Sequence, residues 1–211
     1  MLLVRKIAVM TLFTCGILMA RAGTALGQIQ RPGFLSTTET HFGARTDASS
    51  GEQFPQGTST LQFEGAYLHS FDAPRLEEFA GGRFGGSYYF KDRLAISADV
   101  PVYWARQKNP GIAAGFDLLV RWHWFERDHL SLYLDGGAGF LLADRNVPPR
   151  GTHFNFTPQV GIGVTYLLDD RTYLYCGTRF WHLSNAGIWG SNRNPSIDKS
   201  FMGYVGMGWR F

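Results

Sequence analysis

A histidine and a serine two residues apart form the segment of this sequence with the clearest chemical potential. The segment reads Arg179-Phe-Trp-His-Leu-Ser-Asn-Ala-Gly187, so a single residue separates His182 from Ser184. Side chains of a β-strand alternate between its two faces, and both residues would therefore point to the same face. A neutral imidazole beside a hydroxyl is the minimum requirement for a serine nucleophile activated by a base. Either residue alone would indicate only a surface polar group.

The residues from His182 to Gly187 also resemble a known motif. His-Leu-Ser-Asn-Ala-Gly is similar to the H-x-S-N-A motif of the lipid A 3-O-deacylase (PagL-like) family of outer-membrane enzymes. The resemblance implies that His182 and Ser184 are catalytic and that an acid just before the last strand orients the histidine. The downstream family pattern, roughly N-x-G-aliphatic-acid, corresponds here to Asn194-Pro-Ser-Ile-Asp198. Asp198 stands where the family typically has Glu, at a longer spacing from the serine.

Under this resemblance the chemistry would be hydrolysis of an ester through an acyl-enzyme. His182 would take the proton of Ser184, whose oxygen would attack the acyl carbonyl. The motif also implies groups that stabilise the oxyanion or position the substrate. These are the backbone N–H and side chain of Asn185, the neighbouring Ala186, and Asn194 further along the chain.

Asp198 is the implied third member of the site and would hold the imidazole, as the acid does in other triads. Its spacing from the outward-facing Phe211 is odd, so it could reach His182 only from a loop or across a β-bulge. The alternative is that Asp198 is a solvated loop residue, and that a backbone carbonyl or Asn194 orients His182. Because no Cys/His/Asp cluster has the spacing of metal ligands, we expect neither a metal nor another cofactor.

The first 27 residues have the pattern of a secretory signal peptide. Arg5 and Lys6 precede an apolar run over residues 7–19, and small residues follow at Ala20, Ala22, Ala25 and Gly27. The apolar run is too short to span a membrane as a helix. Residues 28–58 are rich in polar residues and are expected to form a periplasmic segment, in which a short extra strand over residues 34–46 remains open.

The rest of the chain has the composition of a transmembrane β-barrel. The sequence contains 26 Gly together with 17 Phe, 9 Tyr and 6 Trp. After the signal, no segment holds about 18 uninterrupted apolar residues, which excludes helical membrane spans. Instead, apolar residues alternate with other residues in eight segments, the even number that bacterial single-chain barrels use. The segments are 61–67, 83–90, 94–102, 116–124, 130–140, 159–166, 174–180 and 201–211.

These segments predict an all-β, eight-stranded antiparallel barrel over residues 59–211, with both termini at the periplasmic side. A terminal aromatic, Phe211, resembles the assembly signal of outer-membrane barrels. The face opposite the apolar stripe collects charged residues, and an eight-stranded barrel is just wide enough to be filled by side chains. We therefore expect paired charges and no open pore. The residues are Glu64, Asp99, Asp117, Asp135, Arg83, Arg121, Arg179 and Arg210.

His182 and Ser184 continue the alternation of the outward, apolar stripe and would lie on the lipid-facing surface at the extracellular end. Polar side chains are disfavoured there, unless the substrate is itself a lipid of the outer leaflet. The expected partners are therefore lipid A or lipopolysaccharide and the outer membrane. His69 shares the outward direction and could approach a lipid headgroup, although such a residue is more often simply an interfacial one. His123 is expected to be a hydrogen-bonded interior residue.

Other functions remain as alternatives to a lipid A deacylase. A non-catalytic structural or adhesive barrel would have the same fold, but it would have no reason to keep His182 and Ser184 on the lipid face. A narrow channel is disfavoured by the charged interior. The net charge of +3 gives no argument for nucleic acid. The sequence is compatible with a homodimer.

Overall fold

The computed structural model describes residues 52–71, 77–188 and 196–211. The predicted signal peptide and the possible strand over residues 34–46 lie outside these ranges. Within them the chain forms β-strands joined by turns and loops, and no helix there is long and apolar enough to cross a membrane. The strands are β1 (Ser59–Ser70), β2 (Glu78–Lys91), β3 (Leu94–Arg106), β4 (Gly111–Arg127), β5 (Leu130–Val147), β6 (Thr152–Phe156), β7 (Gln159–Leu167), β8 (Thr172–Leu183) and β9 (Ile197–Arg210).

The described strands close into an eight-stranded antiparallel barrel, which confirms the predicted fold class. The strands from β1 to β6 pair in chain order, β7 pairs with β5 and with β8, and β9 pairs with β8 and with β1 to complete the circle. The count is eight because β6 and β7 both pair with β5 and together act as one barrel strand. The interruption falls at Pro158, which has no backbone N–H to donate. The sequence pattern identified β7 but not β6.

The barrel has two unlike ends. Short connections join β2 to β3, β4 to β5 and β7 to β8 at one end, which we call the turn end. The opposite end, the loop end, carries the connections that follow β1, β3, β5 and β8. The outer surface between them is apolar on every strand, as the alternation predicted. Exposed examples from around the barrel are Phe63, Phe84, Val100, Trp122, Val160 and Val205.

The interior holds a layer of paired charges at mid-height. Arg83 Nη1 and Nη2 contact Glu64 and Asp99 at 3.1 and 2.9 Å. Arg179 Nη2 and Arg121 Nη2 both contact Asp135 Oδ2, at 2.8 and 3.0 Å. Each of these side chains is buried, so the pairs offset the cost of placing charge in a water-poor interior.

The prediction that Arg210 joins this charge layer is wrong. Arg210 lies half-buried at the turn end, where its guanidinium donates to the backbone carbonyls of Asp170 and Gln53. It is the last residue of β9, and alternation alone does not show how far along the barrel axis an inward side chain lies. The prediction for His123 is confirmed, since its ring nitrogens contact Ser131 Oγ at 2.7 Å and Tyr89 OH at 2.9 Å.

Uncharged side chains fill the interior above and below the charges. Towards the loop end, an apolar cluster includes Phe79, Leu141 and Trp181. Towards the turn end, the interior holds buried tyrosines, and glycines paired with them on the neighbouring strands make room for their rings. A Cβ at position 208 would lie 2.2 Å from the Tyr173 ring, so only Gly208 fits there. The described interior is therefore packed with side chains.

Residues 52–58 form a plug in the turn end of the barrel. Phe54 is only 1% exposed and stacks on His123 and Tyr89, with ring centroids 4.4 and 4.9 Å away. Gln53 Nε2 donates to the carbonyls of Asp128 and Leu130, at 2.8 and 3.0 Å. These last residues of the predicted periplasmic segment thus pack into the barrel.

Candidate active site

The structure brings three of the predicted site residues together on the outer surface at the loop end. His182 lies near the end of β8, and its Nε2 is 3.0 Å from Ser184 Oγ. On the other side of the ring, His182 Nδ1 is 3.0 Å from Asp198 Oδ1. The imidazole therefore bridges a hydroxyl and a carboxylate, in the order that a nucleophile, a base and an orienting acid require.

A bulge in β9 explains how Asp198 reaches the outer face. Trp181 of β8 pairs with Ser200, but Leu183 pairs with Ile197, so residues 198 and 199 together stand opposite His182. Both Ile197 and Ser200 are buried on the inside, and strict alternation cannot place two residues between them. The extra residue of the bulge turns the Asp198 side chain outward. The sequence allowed Asp198 to reach His182 either from a loop or across a β-bulge, and the structure has the β-bulge.

The broken strand β6–β7 holds the backbone of the histidine and the serine. His182 N donates to Pro158 O at 3.0 Å. Phe156 and Ser184 exchange two backbone hydrogen bonds, with Phe156 N 2.7 Å from Ser184 O and Ser184 N 3.2 Å from Phe156 O. The exchange between Phe156 and Ser184 lies beyond the last residue of β8, so the nucleophile is held by a β-type pair although it sits at the start of a loop.

The loop after the serine begins with a tight turn. Ala186 and Gly187 both have positive φ, 54° and 72°. An alanine in the left-handed region costs about 1–2 kcal/mol, so the surroundings must hold the turn in place. Ala186 is exposed, next to the buried Asn185. Asn194, the other predicted oxyanion group, lies outside the described residues.

Asn185 fixes this turn through its side chain. Its Oδ1 accepts from Gly187 N at 2.9 Å, and its Nδ2 donates to Thr152 Oγ1 at 3.2 Å. The Thr152 hydroxyl in turn donates to Phe154 O at 2.7 Å, within β6. Sequence reasoning missed Thr152, because β6 is too short for its alternation to stand out.

The surroundings of the three residues are aromatic and face outward. Phe180 and Phe201 lie below them towards the turn end, with ring centroids 5.7 Å apart. Phe156 lies on the other side of Ser184 and is partly exposed. The side chains of His182 and Asp198 are 30% and 59% exposed. Ser184 itself is half-buried, and the site faces the apolar outer surface. Within the described ranges, no group of three His, Cys, Asp or Glu side chains could hold a metal ion.

Solved structures similar to this chain include several outer-membrane barrels. Neisserial surface protein A (NspA) aligns with a TM-score of 0.54 and 13% identity, over 74% of this chain and 98% of its own. The outer membrane protein OprG from Pseudomonas aeruginosa aligns with a TM-score of 0.51 and 10% identity, over 76% and 99%. The outer membrane enzyme PagL aligns with a TM-score of 0.48 and 14% identity, over 71% and 98%. The first two likenesses show the barrel fold.

The apolar outer surface and the barrel fold, together with the match to a family of outer-membrane enzymes, place the protein in the outer membrane. No curated protein matches the chain in sequence. The family model described as "Lipid A 3-O-deacylase (PagL)" matches residues 99–208, just over half of the 211 residues. The matched region contains His182, Ser184 and Asp198, together with the strands that hold them. The chain therefore belongs to the lipid A 3-O-deacylase (PagL) family.

Proposed function

We propose that this protein removes an ester-linked acyl chain from lipid A by a serine-esterase mechanism. The observation that carries the proposal is the position of His182, Ser184 and Asp198 within hydrogen-bonding distance on the outward face of the barrel. Polar groups on that face are normally disfavoured, but a lipid in the outer leaflet would meet them directly. On this proposal the loop end is extracellular.

The reaction would proceed in two halves. Ser184 Oγ attacks the carbonyl carbon of the ester while His182 Nε2 takes the hydroxyl proton. The tetrahedral intermediate then collapses, the C–O bond to the saccharide breaks, and the leaving oxygen takes the proton from His182. In the second half, water gives a proton to His182 and attacks the acyl carbonyl. The bond to Ser184 Oγ then breaks, His182 returns the proton to that oxygen, and the fatty acid is released.

Asp198 is proposed to act through the histidine. With Asp198 Oδ1 3.0 Å from Nδ1, the proton of the neutral ring is held on Nδ1 and Nε2 is left free to accept the serine proton. The carboxylate also stabilises the imidazolium that forms during each half-reaction.

The groups that would stabilise the oxyanion of the tetrahedral intermediate remain predictions. The backbone N–H of Asn185, which follows the nucleophile, is our first candidate, because the Asn185 side chain fixes the turn through Thr152 and Gly187. The Asn185 amide, Ala186 and Asn194 remain further candidates for contact with the substrate.

The rival function is a non-catalytic structural or adhesive barrel. It would explain the fold and the packed interior, but it would not explain why a bulge turns Asp198 towards His182 on the lipid face. All three residues come from one chain, so the proposed reaction does not require the homodimer with which the sequence is compatible.

Mass spectrometry of lipid A from cells that express the protein tests the proposal. We expect lipid A that has lost one ester-linked acyl group, compared with cells that carry the empty vector. Cells that express the Ser184→Ala variant at the same level in the outer membrane are the matched control and should retain the group. If wild-type cells retain every acyl group, and purified wild-type protein also leaves lipid A intact, the deacylase assignment is wrong.

Thr152 provides a test of how the turn is positioned. Replacing it by valine preserves its shape but removes the hydroxyl that accepts from Asn185 Nδ2. Because the loss of one hydrogen bond to a buried side chain costs about 1–3 kcal/mol, we expect the turn to shift and kcat to fall about tenfold with little change in KM. Thr152→Ser keeps the hydroxyl and should retain most of the activity. Equal kcat values for the two variants would contradict this role.

A further inference from the structure

A row of residues crosses the outer surface of the barrel beside the proposed active site. Phe180 on β8 pairs with Phe201 on β9, which pairs with His69 on β1. The row continues from His69 to Glu78 on β2 and from Glu78 to Arg106 on β3. Its first two members are apolar, as expected of a lipid-facing surface. Its last three are polar, and we call them the polar row.

The polar row is connected by its own contacts. Arg106 Nη1 donates to Glu78 Oε2 at 3.1 Å, and His69 Nδ1 lies 3.5 Å from Glu78 Oε1. The Arg106 side chain is 69% exposed, so most of its guanidinium is open to the surface. An exposed ion pair of this kind contributes about 0–1 kcal/mol, so stability gives little reason to keep it on a lipid-facing surface.

His69 is the least expected member of the row. Its side chain is only 9% exposed and packs edge-on against Phe71, with ring centroids 4.8 Å apart. Within the part of the chain that the structure describes, His69 Nε2 has no hydrogen-bond partner, and Nδ1 has only the long 3.5 Å contact with Glu78. Buried polar atoms are nearly always hydrogen-bonded, so the unused Nε2 indicates a missing partner.

The polar row lies at the right place for the headgroup of the proposed substrate. His69 lies in the same row as Phe180, and His182 stands two residues further along β8 towards the loop end. The two histidines are therefore two strand spacings apart across the sheet, about 10 Å, and two residues apart along it, about 7 Å. A saccharide joined to an ester at Ser184 would span such a distance.

From this arrangement we infer that His69, Glu78 and Arg106 form a binding subsite for the phosphorylated saccharide headgroup of the same lipid. The inference rests on the proposed function and adds a recognition site to it. A guanidinium binds phosphate through paired N–H donors, and a carboxylate accepts hydrogen bonds from saccharide hydroxyls. The unused Nε2 of His69 supplies a further hydrogen-bonding group next to both.

The test uses the purified full-length protein in detergent, with Arg106→Met and a matched control, Arg127→Met. Arg127 is 79% exposed and paired with Asp128 at the turn end, so its loss removes the same charge far from the polar row. With lipid A as substrate, we expect Arg106→Met to raise KM about tenfold with kcat nearly unchanged, because a charge-assisted contact is lost. Arg106→Lys keeps the charge and should give an intermediate KM. Arg127→Met should behave as wild type.

Two further measurements separate the subsite from the catalytic proposal. A p-nitrophenyl acyl ester has neither phosphate nor saccharide, so Arg106→Met should cleave it as well as wild type. Binding of lipid A to Ser184→Ala should weaken about tenfold when Arg106→Met is added, and this difference should disappear with dephosphorylated lipid A. If wild type cleaves neither substrate, the proposed function fails, while the binding comparison still decides the subsite. The subsite is rejected if Arg106→Met binds and cleaves lipid A like Arg127→Met, or if it slows both substrates equally.

Discussion

Purified Ser184→Ala protein is expected to show no measurable hydrolysis of lipid A, with a fall in kcat of at least about 10⁴-fold. The hydroxyl is the atom that would form the acyl-enzyme, and nothing else on the described outer surface within reach of His182 Nε2 could replace it. The side chain points outward from the barrel and takes no part in the interior packing. The variant should therefore fold normally, which heat-modifiable migration in gels and β-rich circular dichroism will show.

His182→Asn provides a second measurement of the same step. It should lower kcat by a similar factor, because the base and the nucleophile act as a unit, and the double variant should be little worse than either single one. Strict additivity of the two losses would indicate separate roles. Activity of Ser184→Ala close to wild type would rule out the serine mechanism altogether.

Asp198→Asn is expected to lower kcat by about 10³–10⁴-fold, as the loss of the orienting acid does in serine proteases. Its Oδ1 lies 3.0 Å from His182 Nδ1, where an amide could donate to the ring and favour the wrong tautomer. Asp198→Glu should keep much of the activity, since it keeps the carboxylate and introduces the residue type of the family motif. The steady-state kinetics of the two purified variants provide the comparison.

The competing view treats Asp198 as a solvated residue, in keeping with its 59% exposed side chain. In that case Asp198→Asn would cost less than about tenfold, equivalent to about 1.4 kcal/mol in the activation barrier. Asn194→Ala would then be the damaging change. The two sets of results differ by at least two orders of magnitude, so one assay is enough to decide between them.

The barrel and the direction of its side chains could be predicted because both follow from local alternation. A period of two in residues such as Phe84, Tyr88 and Phe90 requires only that the segment be extended and have one lipid-facing side. The same rule placed His182 and Ser184 on the outer face, where the structure has them.

The features that complete the site depend on strand pairing. The alternation of apolar and polar residues along one strand does not show which residues lie opposite on the next. The bulge that turns Asp198 outward exists only relative to His182 on the neighbouring strand. The link from Asn185 to Thr152 joins residues that are 33 positions apart in the sequence. The short strand that supplies Thr152 is cut off from β7 by Pro158, which obscures it as a strand signal. These contacts can be identified only in the folded barrel, where the strands are paired.

The plug formed by residues 52–58 has a consequence for the order in which the barrel assembles. Its partners come from separate parts of the sheet: Gln53 contacts the β4–β5 turn and Arg210 of β9, and Arg93 N of the β2–β3 turn donates to Phe54 O. Before β1 and β9 pair, the sheet is open and these positions lie far apart. The short segment 52–58 could not contact all of them at once. Residues 52–58 can therefore make all of these contacts only after β9 has paired with β1. Together the contacts then oppose separation of β9 from β1. The plug therefore stabilises the closed barrel and not the open sheet.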